Sequence, residues 1–139
     1  IAAGVGITPF LAWSEALDPN SGPVHLVYCI RDEASAAHLA QLKELASCKP
    51  NLTLHIQNSA TDGRATADSL LAKTGVSTDR LTVAFCGPKP MRKSLIEGFR
   101  RAGVSGARFK FEEFEIRTGI GLRRLAALLF ERVVAPKRA

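Results

Sequence analysis

The sequence predicts an α/β fold built on a doubly wound parallel sheet, and three observations carry that prediction. Counting a truncated opening run, five apolar runs alternate with helical patterns, which implies parallel strands joined by right-handed crossovers. The run at 24–30 has few polar interruptions, as expected of a strand covered on both faces. Glycine turns follow the first and the fourth runs; if the strand order reverses between those two strands they are neighbours, and both turns then flank one crevice at the strands' carboxyl ends.

The first run, Ile1-Ala2-Ala3, is short for a strand and carries no initiator Met, so the first strand reads as truncated and the chain as a piece of a longer protein. Gly4-Val5-Gly6-Ile7-Thr8-Pro9-Phe10 comes next. Glycines at 4 and 6 permit positive φ and leave no β-carbon between a diphosphate and the backbone N–H groups. Pro9 suits the first helical position, and the helix it opens points its positive end at such an anion. Gly-x-Gly also occurs in ordinary tight turns, and the third glycine of the usual dinucleotide fingerprint is absent here.

A short helix over 10–17 should end at the breaker cluster Asp18-Pro19-Asn20-Ser21-Gly22-Pro23. The second strand at 24–30 is closed by Arg31-Asp32-Glu33, and Ala37, Leu39, Leu42, Leu45 and Ala46 repeat at helical spacing over 34–47, with Ser35 as a cap or first-turn residue. A third strand spans 52–56, a polar loop 58–64 and a brief helix 65–73. A fourth strand at 81–85 runs into Cys86-Gly87-Pro88-Lys89-Pro90-Met91. A helix then extends over about 90–102, with Met91, Leu95, Ile96 and Phe99 on one face and Gly103 ending it. The fifth strand, 108–114, sets Phe109 and Phe111 on one face against Lys110 and Glu112 on the other.

At 139 residues the chain suits one domain and is short for an enzyme that must hold two cofactors. Its cysteines, Cys29, Cys48 and Cys86, are odd in number and widely spaced, which argues against disulfides or zinc and fits a reducing compartment. His25, His38 and His55 lie far apart in sequence and read as packed or surface histidines, so no metal site is expected. The net charge is +6: residues 1–99 hold nine basic and nine acidic side chains, residues 100–139 ten and four. An anionic neighbour for the tail follows, a membrane surface or an acidic partner. Nucleic acid is disfavoured, because no aromatics interleave with the arginines. Leu122, Leu125, Leu129 and Val133 form one stripe of a basic helix over 122–134, too short and charged to span a bilayer. It suits a membrane surface, a neighbouring domain or the chain's own sheet.

Four motifs in order, Gly4-Val5-Gly6-Ile7-Thr8-Pro9, Tyr28-Cys29-Ile30-Arg31, Cys86-Gly87-Pro88-x-x-Met91 and Glu112-x-Phe114, give the chain a resemblance. It resembles the nucleotide-binding half of the ferredoxin–NADP reductase superfamily over residues 1 to about 116, with ferric reductases and NADPH oxidases as the branch it is most like. The resemblance implies a sheet of order 3-2-1-4-5 that binds NADH or NADPH and passes a hydride to N5 of FAD, held mainly by a preceding β-barrel domain. Carried over by position, Gly4, Val5, Gly6, Ile7, Thr8 and Pro9 would take the pyrophosphate and the edge of the nicotinamide ribose, Thr8 also being suited to cap a helix. Arg31 would lie at the adenosine, by stacking or by pairing with a 2′-phosphate, and Arg64 would add a second contact at that end. Each is otherwise a solvated arginine, and Asp32 beside Arg31 opposes a 2′-phosphate.

Cys86, with Gly87, Pro88 and Met91, would wall the nicotinamide, and Glu112 and Phe114 would stand at the flavin side; Cys86 is otherwise a buried small residue at a strand end, and Phe114 an edge-strand phenylalanine packed in the core. Hydride transfer asks for alignment of two rings rather than a covalent intermediate, which agrees with the lack of a Ser-His-Asp or paired-carboxylate pattern. Two departures stand out: the family's flavin-binding motif is missing, and Phe114 is followed by 25 further residues. The domains expected are therefore 1–116, binding NAD(P), and 117–139, a basic helical extension. The expected function is the NAD(P)H-binding domain of a ferric reductase-like flavin oxidoreductase, inactive by itself. Its partners would be a flavin-binding barrel and a haem-bearing transmembrane domain, with this soluble piece on the cytoplasmic face. The alternative is a non-catalytic interaction module whose tail helix docks on a membrane or a partner.

Overall fold

The computed structural model describes residues 1–112. Five strands form one sheet in the order β3-β2-β1-β4-β5, with β1 at Ala2–Ala3, β2 at Val24–Ile30, β3 at Leu52–Asn58, β4 at Val83–Cys86 and β5 at Phe109–Glu112. Every pairing is parallel, as the alternation of elements requires. The crossovers carry α1 (Thr8–Glu15), α2 (Leu39–Cys48), α3 (Ala67–Thr74) and α4 (Lys89–Arg101).

Alternation along β2 sends Leu26 and Tyr28 into a cluster with Ala2, Ile7, Phe10 and Leu42, and Val27 into another with Leu70, Phe85, Leu95 and Phe109. The sheet is thus buried on both faces, which is why its strands read as nearly unbroken apolar runs. The central strand contributes only alanines. Ala2 lies opposite Tyr28 on one side and Cys86 on the other, while β2 and β3 pair along all seven residues from Val24↔Leu52 to Ile30↔Asn58. That full ladder carries β3 to Asn58, two residues past the expected end.

Helix α2 departs most from expectation, starting at Leu39 instead of at 34. The Asp32 carboxylate accepts from the Ser35 backbone N–H at 2.8 Å, the Tyr28 hydroxyl accepts from that of Ala37, and His38 sits at φ 59°. Side-chain bonds thereby take N–H groups that a longer helix would leave orphaned, so Ser35 belongs to a turn and caps no helix. The carboxyl end of α1 is capped from a distance: Lys49 Nζ donates to the Glu15 and Leu17 carbonyls at 2.8 and 2.9 Å. Thr66 and Ser69 form a reciprocal capping box on α3, and Gly103 closes α4 at φ 94° as expected.

Residues 113–139 lie outside the described part, and with them Phe114, the proposed boundary at 116 and the tail helix. None of the described helices is long and apolar enough to cross a membrane.

Candidate functional site

The chain leaves β1 directly into a 3-10 turn, Gly4–Ile7, that runs into α1 at Thr8. Gly4 adopts φ +56° with open space where a side chain would lie. Pro9 falls in the first turn of α1, so its missing N–H costs nothing. Thr8 does not cap the helix. It is the first helical residue, and its hydroxyl donates to the Val5 carbonyl at 3.1 Å, tying the turn to the helix.

Opposite stands the turn after β4. A β-carbon on Gly6 would lie against the Cys86 carbonyl, 2.6 Å from its carbon and 3.1 Å from the Gly87 nitrogen; one on Gly87 would meet the Ala3 β-carbon at 2.9 Å. The two glycine turns therefore touch backbone to backbone at the carboxyl ends of adjacent strands β1 and β4. This is where the strand order reverses, the usual place for a ligand in such sheets. An open glycine at positive φ, a close-packed second glycine and a helix amino terminus make a cradle without side chains, which fits a dinucleotide's diphosphate.

Around the cradle, Val5 is 78% exposed and Thr8 is exposed, whereas Ile7 is wholly buried in the core, so only its backbone is placed to meet a ligand. Cys86 is also fully buried, packed with Ala2, Ile7 and Tyr28. Gly87 and Met91 are half-buried and Pro88 is exposed. Glu112 ends β5 in register with Cys86, which brings the backbone of the fifth strand level with the crevice.

Arg31 and Arg64 are both exposed, in the loops after β2 and β3. The Ser59 N–H donates to the Ile30 carbonyl at 2.9 Å and holds these two strand ends side by side. The loop carrying Arg64 is braced. The Asp62 carboxylate accepts from Lys73 at 2.9 Å, from the Thr61 hydroxyl at 2.9 Å and from the Asn58 N–H at 3.2 Å, which hold it below the usual carboxylate range with Lys73 the largest cause. Gln57, buried in β3, donates to the Gly63 carbonyl at 3.2 Å. Asp32 is held below its usual range by its bonds from Ser35, so a carboxylate stays fixed immediately after Arg31.

Sequence reading missed one cluster. His25 and His55, separated by thirty residues, meet across β2 and β3 with Nδ1 and Nε2 2.9 Å apart. Burial, then His25 and Lys73, push His55 below the usual histidine range. His25 is the second residue of β2 and His55 the fourth of β3, so both point to one face as diagonal neighbours; their shared even position is the one signal in the sequence, and it leaves the register open. Among the described residues no group of three His, Cys, Asp or Glu is arranged to hold a metal.

The family model described as the oxidoreductase NAD-binding domain matches residues 1–96. The ferredoxin reductase component of 3-ketosteroid-9-alpha-monooxygenase from Rhodococcus rhodochrous is 33% identical over 119 residues, covering 84% of this chain and 34% of that protein. A flavohemoprotein from Rhodopirellula baltica is 28% identical over 127 residues, covering 82% and 31%. The chain thus spans about a third of the length of these curated relatives. In fold it is similar to the crystal structure of a flavohemoglobin from Malassezia yamatoensis with bound FAD and heme, at a TM-score of 0.68 and 23% identity over 82% of this chain and 30% of that one.

Proposed function

The chain belongs to the oxidoreductase NAD-binding domain family, and from that premise we propose that its crevice holds NADH or NADPH and presents the nicotinamide to a flavin carried by another domain. When bound, the dinucleotide supplies a hydride for that flavin. The chain's own part is to bind and to orient. Backbone N–H groups of the 3-10 turn and of the first turn of α1 take the diphosphate, and the α1 dipole favours its charge. Thr8 keeps the turn in place through Val5. Arg31 and Arg64 address the adenosine end; the Cys86-Gly87-Pro88 turn and Met91 shape the nicotinamide end; Glu112 and Phe114 belong to the flavin side. Such a site works through alignment and needs no acid or base of its own.

The observation that carries this reading is the backbone contact of Gly6 with Cys86 and Gly87, which fuses two separately weak glycine signals into one cradle. For the whole protein we favour a flavin oxidoreductase of the ferredoxin reductase or flavohemoprotein kind, because relatives that align with this chain bear those names. The finer assignment, a ferric reductase-like protein with a haem-bearing transmembrane domain, is supported by motif resemblance alone.

Calorimetric titration with NADPH, NADH and 2′,5′-ADP tests the reading. Binding that weakens in Gly6→Val and in Arg31→Ala supports it, with 2′,5′-ADP reporting a 2′-phosphate contact. A folded chain that binds none of the three, alone or joined to a flavin-binding domain, overturns it.

A further inference from the structure

The histidine pair plays no part in the proposed nucleotide site. His25 and His55 stand on the face of the sheet that α3 covers, where Val27 and Leu70 pack deeper under the same helix. Both histidines are half-buried, so protons reach them from solvent. Their rings stack with planes 22° apart, and the 2.9 Å between His25 Nδ1 and His55 Nε2 admits one hydrogen, carried by either ring.

Proton counting sets what this contact tolerates. Two neutral imidazoles each carry one hydrogen, and one of these fills the contact. A first added proton goes to the outer nitrogen of the donating ring, which leaves the contact intact and makes the donor stronger. A second must go to the facing nitrogen of the other ring. Two hydrogens do not fit within 2.9 Å, so the rings must then part, each of them charged.

The surroundings sharpen this response. His55 is faced by His25 and by Lys73 of α3, and burial with these two cations holds it below the usual histidine range. Arg80, after α3, lines the cavity that His25 borders. Among the described residues neither ring is bonded to a carboxylate. Lys73 also ties the pair to the loop after β3: its Nζ donates to the Ile56 carbonyl, next in sequence to His55, at 2.7 Å and to the Asp62 carboxylate at 2.9 Å. β3 is an edge strand, so a ring driven off His25 moves outward, toward the side on which Lys73 stands.

We propose that the pair is a proton-operated latch on the 58–64 loop: up to one added proton leaves the loop braced, and a second drives the rings apart and, through Lys73, slackens the segment that carries Arg64. Asp62 is held below the usual carboxylate range, so it stays ionised while the histidines titrate and is not the source of the response.

The test needs no nucleotide and so stands apart from the nucleotide-binding reading. It joins imidazole nitrogen NMR to amide exchange at Asn58, bonded to the Asp62 carboxylate, and at Asp62, bonded to the Asn58 carbonyl. From about pH 7.5 to about pH 5, across the ordinary histidine range, the pair should take up its protons in two separated steps. After correction for intrinsic exchange, protection at both amides should fall at least about fivefold with the second step. His25→Phe should merge the titration into one step with His55 shifted upward. His55→Phe, or His55→Gln where the aromatic ring disturbs packing, should leave protection level with pH. Lys73→Met should keep both steps but uncouple the amides from them. A His55 titration unchanged in His25→Phe overturns the shared proton. A pH response of the loop that survives in His55→Phe and His55→Gln, or in Lys73→Met, overturns the latch.

Discussion

Replacing Gly6 by alanine probes the cradle most directly. The added β-carbon would stand 2.6 Å from the Cys86 carbonyl carbon, where ordinary contact begins at 3.4 Å, and the obstacle is backbone fixed by strand bonding, not a side chain able to swing aside. The two turns must therefore part. Overpacking of this kind costs about 2–3 kcal/mol, equivalent to a fall of about 10 °C or more in the melting temperature of a domain this size. Parting the turns also displaces the N–H groups that would face a diphosphate, so NADPH or NADH affinity should drop by more than about tenfold, or 1.4 kcal/mol. Gly4→Ala is the control: its φ of +56° penalises alanine, but nothing lies within 4 Å of the new carbon. It should cost only about 1–2 kcal/mol of stability, less than Gly6→Ala. Differential scanning calorimetry and titration on both variants read the two quantities. A Gly6→Ala protein that melts and binds like the parent, or a Gly4→Ala protein more damaged than it, would refute the reasoning.

Lys73→Met removes the bond to the Asp62 carboxylate and the one to the Ile56 carbonyl, so trypsin should cut after Arg64 several-fold faster. The Asp62 contribution, present above the ordinary carboxylate pKa and lost as pH falls, should shrink in the same variant. Arg31→Ala should weaken 2′,5′-ADP more than 5′-AMP if its guanidinium meets a 2′-phosphate, and both equally if it stacks on the base, as paired titrations would report.

The sheet and its crevice were legible because the signals are local. Glycines mark the turns, and a strand covered on both faces has few polar residues, as Val24–Ile30 shows. The start of α2 was not legible: Ala34 to His38 has helical periodicity, yet Asp32 and Tyr28 bind the backbone N–H groups of Ser35 and Ala37 in another geometry. A tyrosine hydroxyl reaching across the fold leaves no mark in a local pattern. The histidine pair escaped for a related reason, since it depends on the register between β2 and β3, which sequence spacing does not state. Ile7 was placed with the ligand-facing loop, but the tight 3-10 turn rotates its side chain into the core.

The alanine pair at the centre of the sheet also bears on folding. Among the described residues β1 alone joins β3-β2 to β4-β5, and it does so through a handful of bonds, while each flanking half has its own ladder and its own helices. The molecule should therefore open along this seam before either half melts, as two cooperative units rather than one. A dinucleotide seated on both glycine turns would bridge the halves. Its binding free energy would then act on the rate and extent of that opening, with protection rising as RT ln(1 + [L]/Kd). Occupancy would be written in the exchange of β1, β2 and β4 amides far beneath the ligand, and cofactor supply would set how long the chain survives a protease.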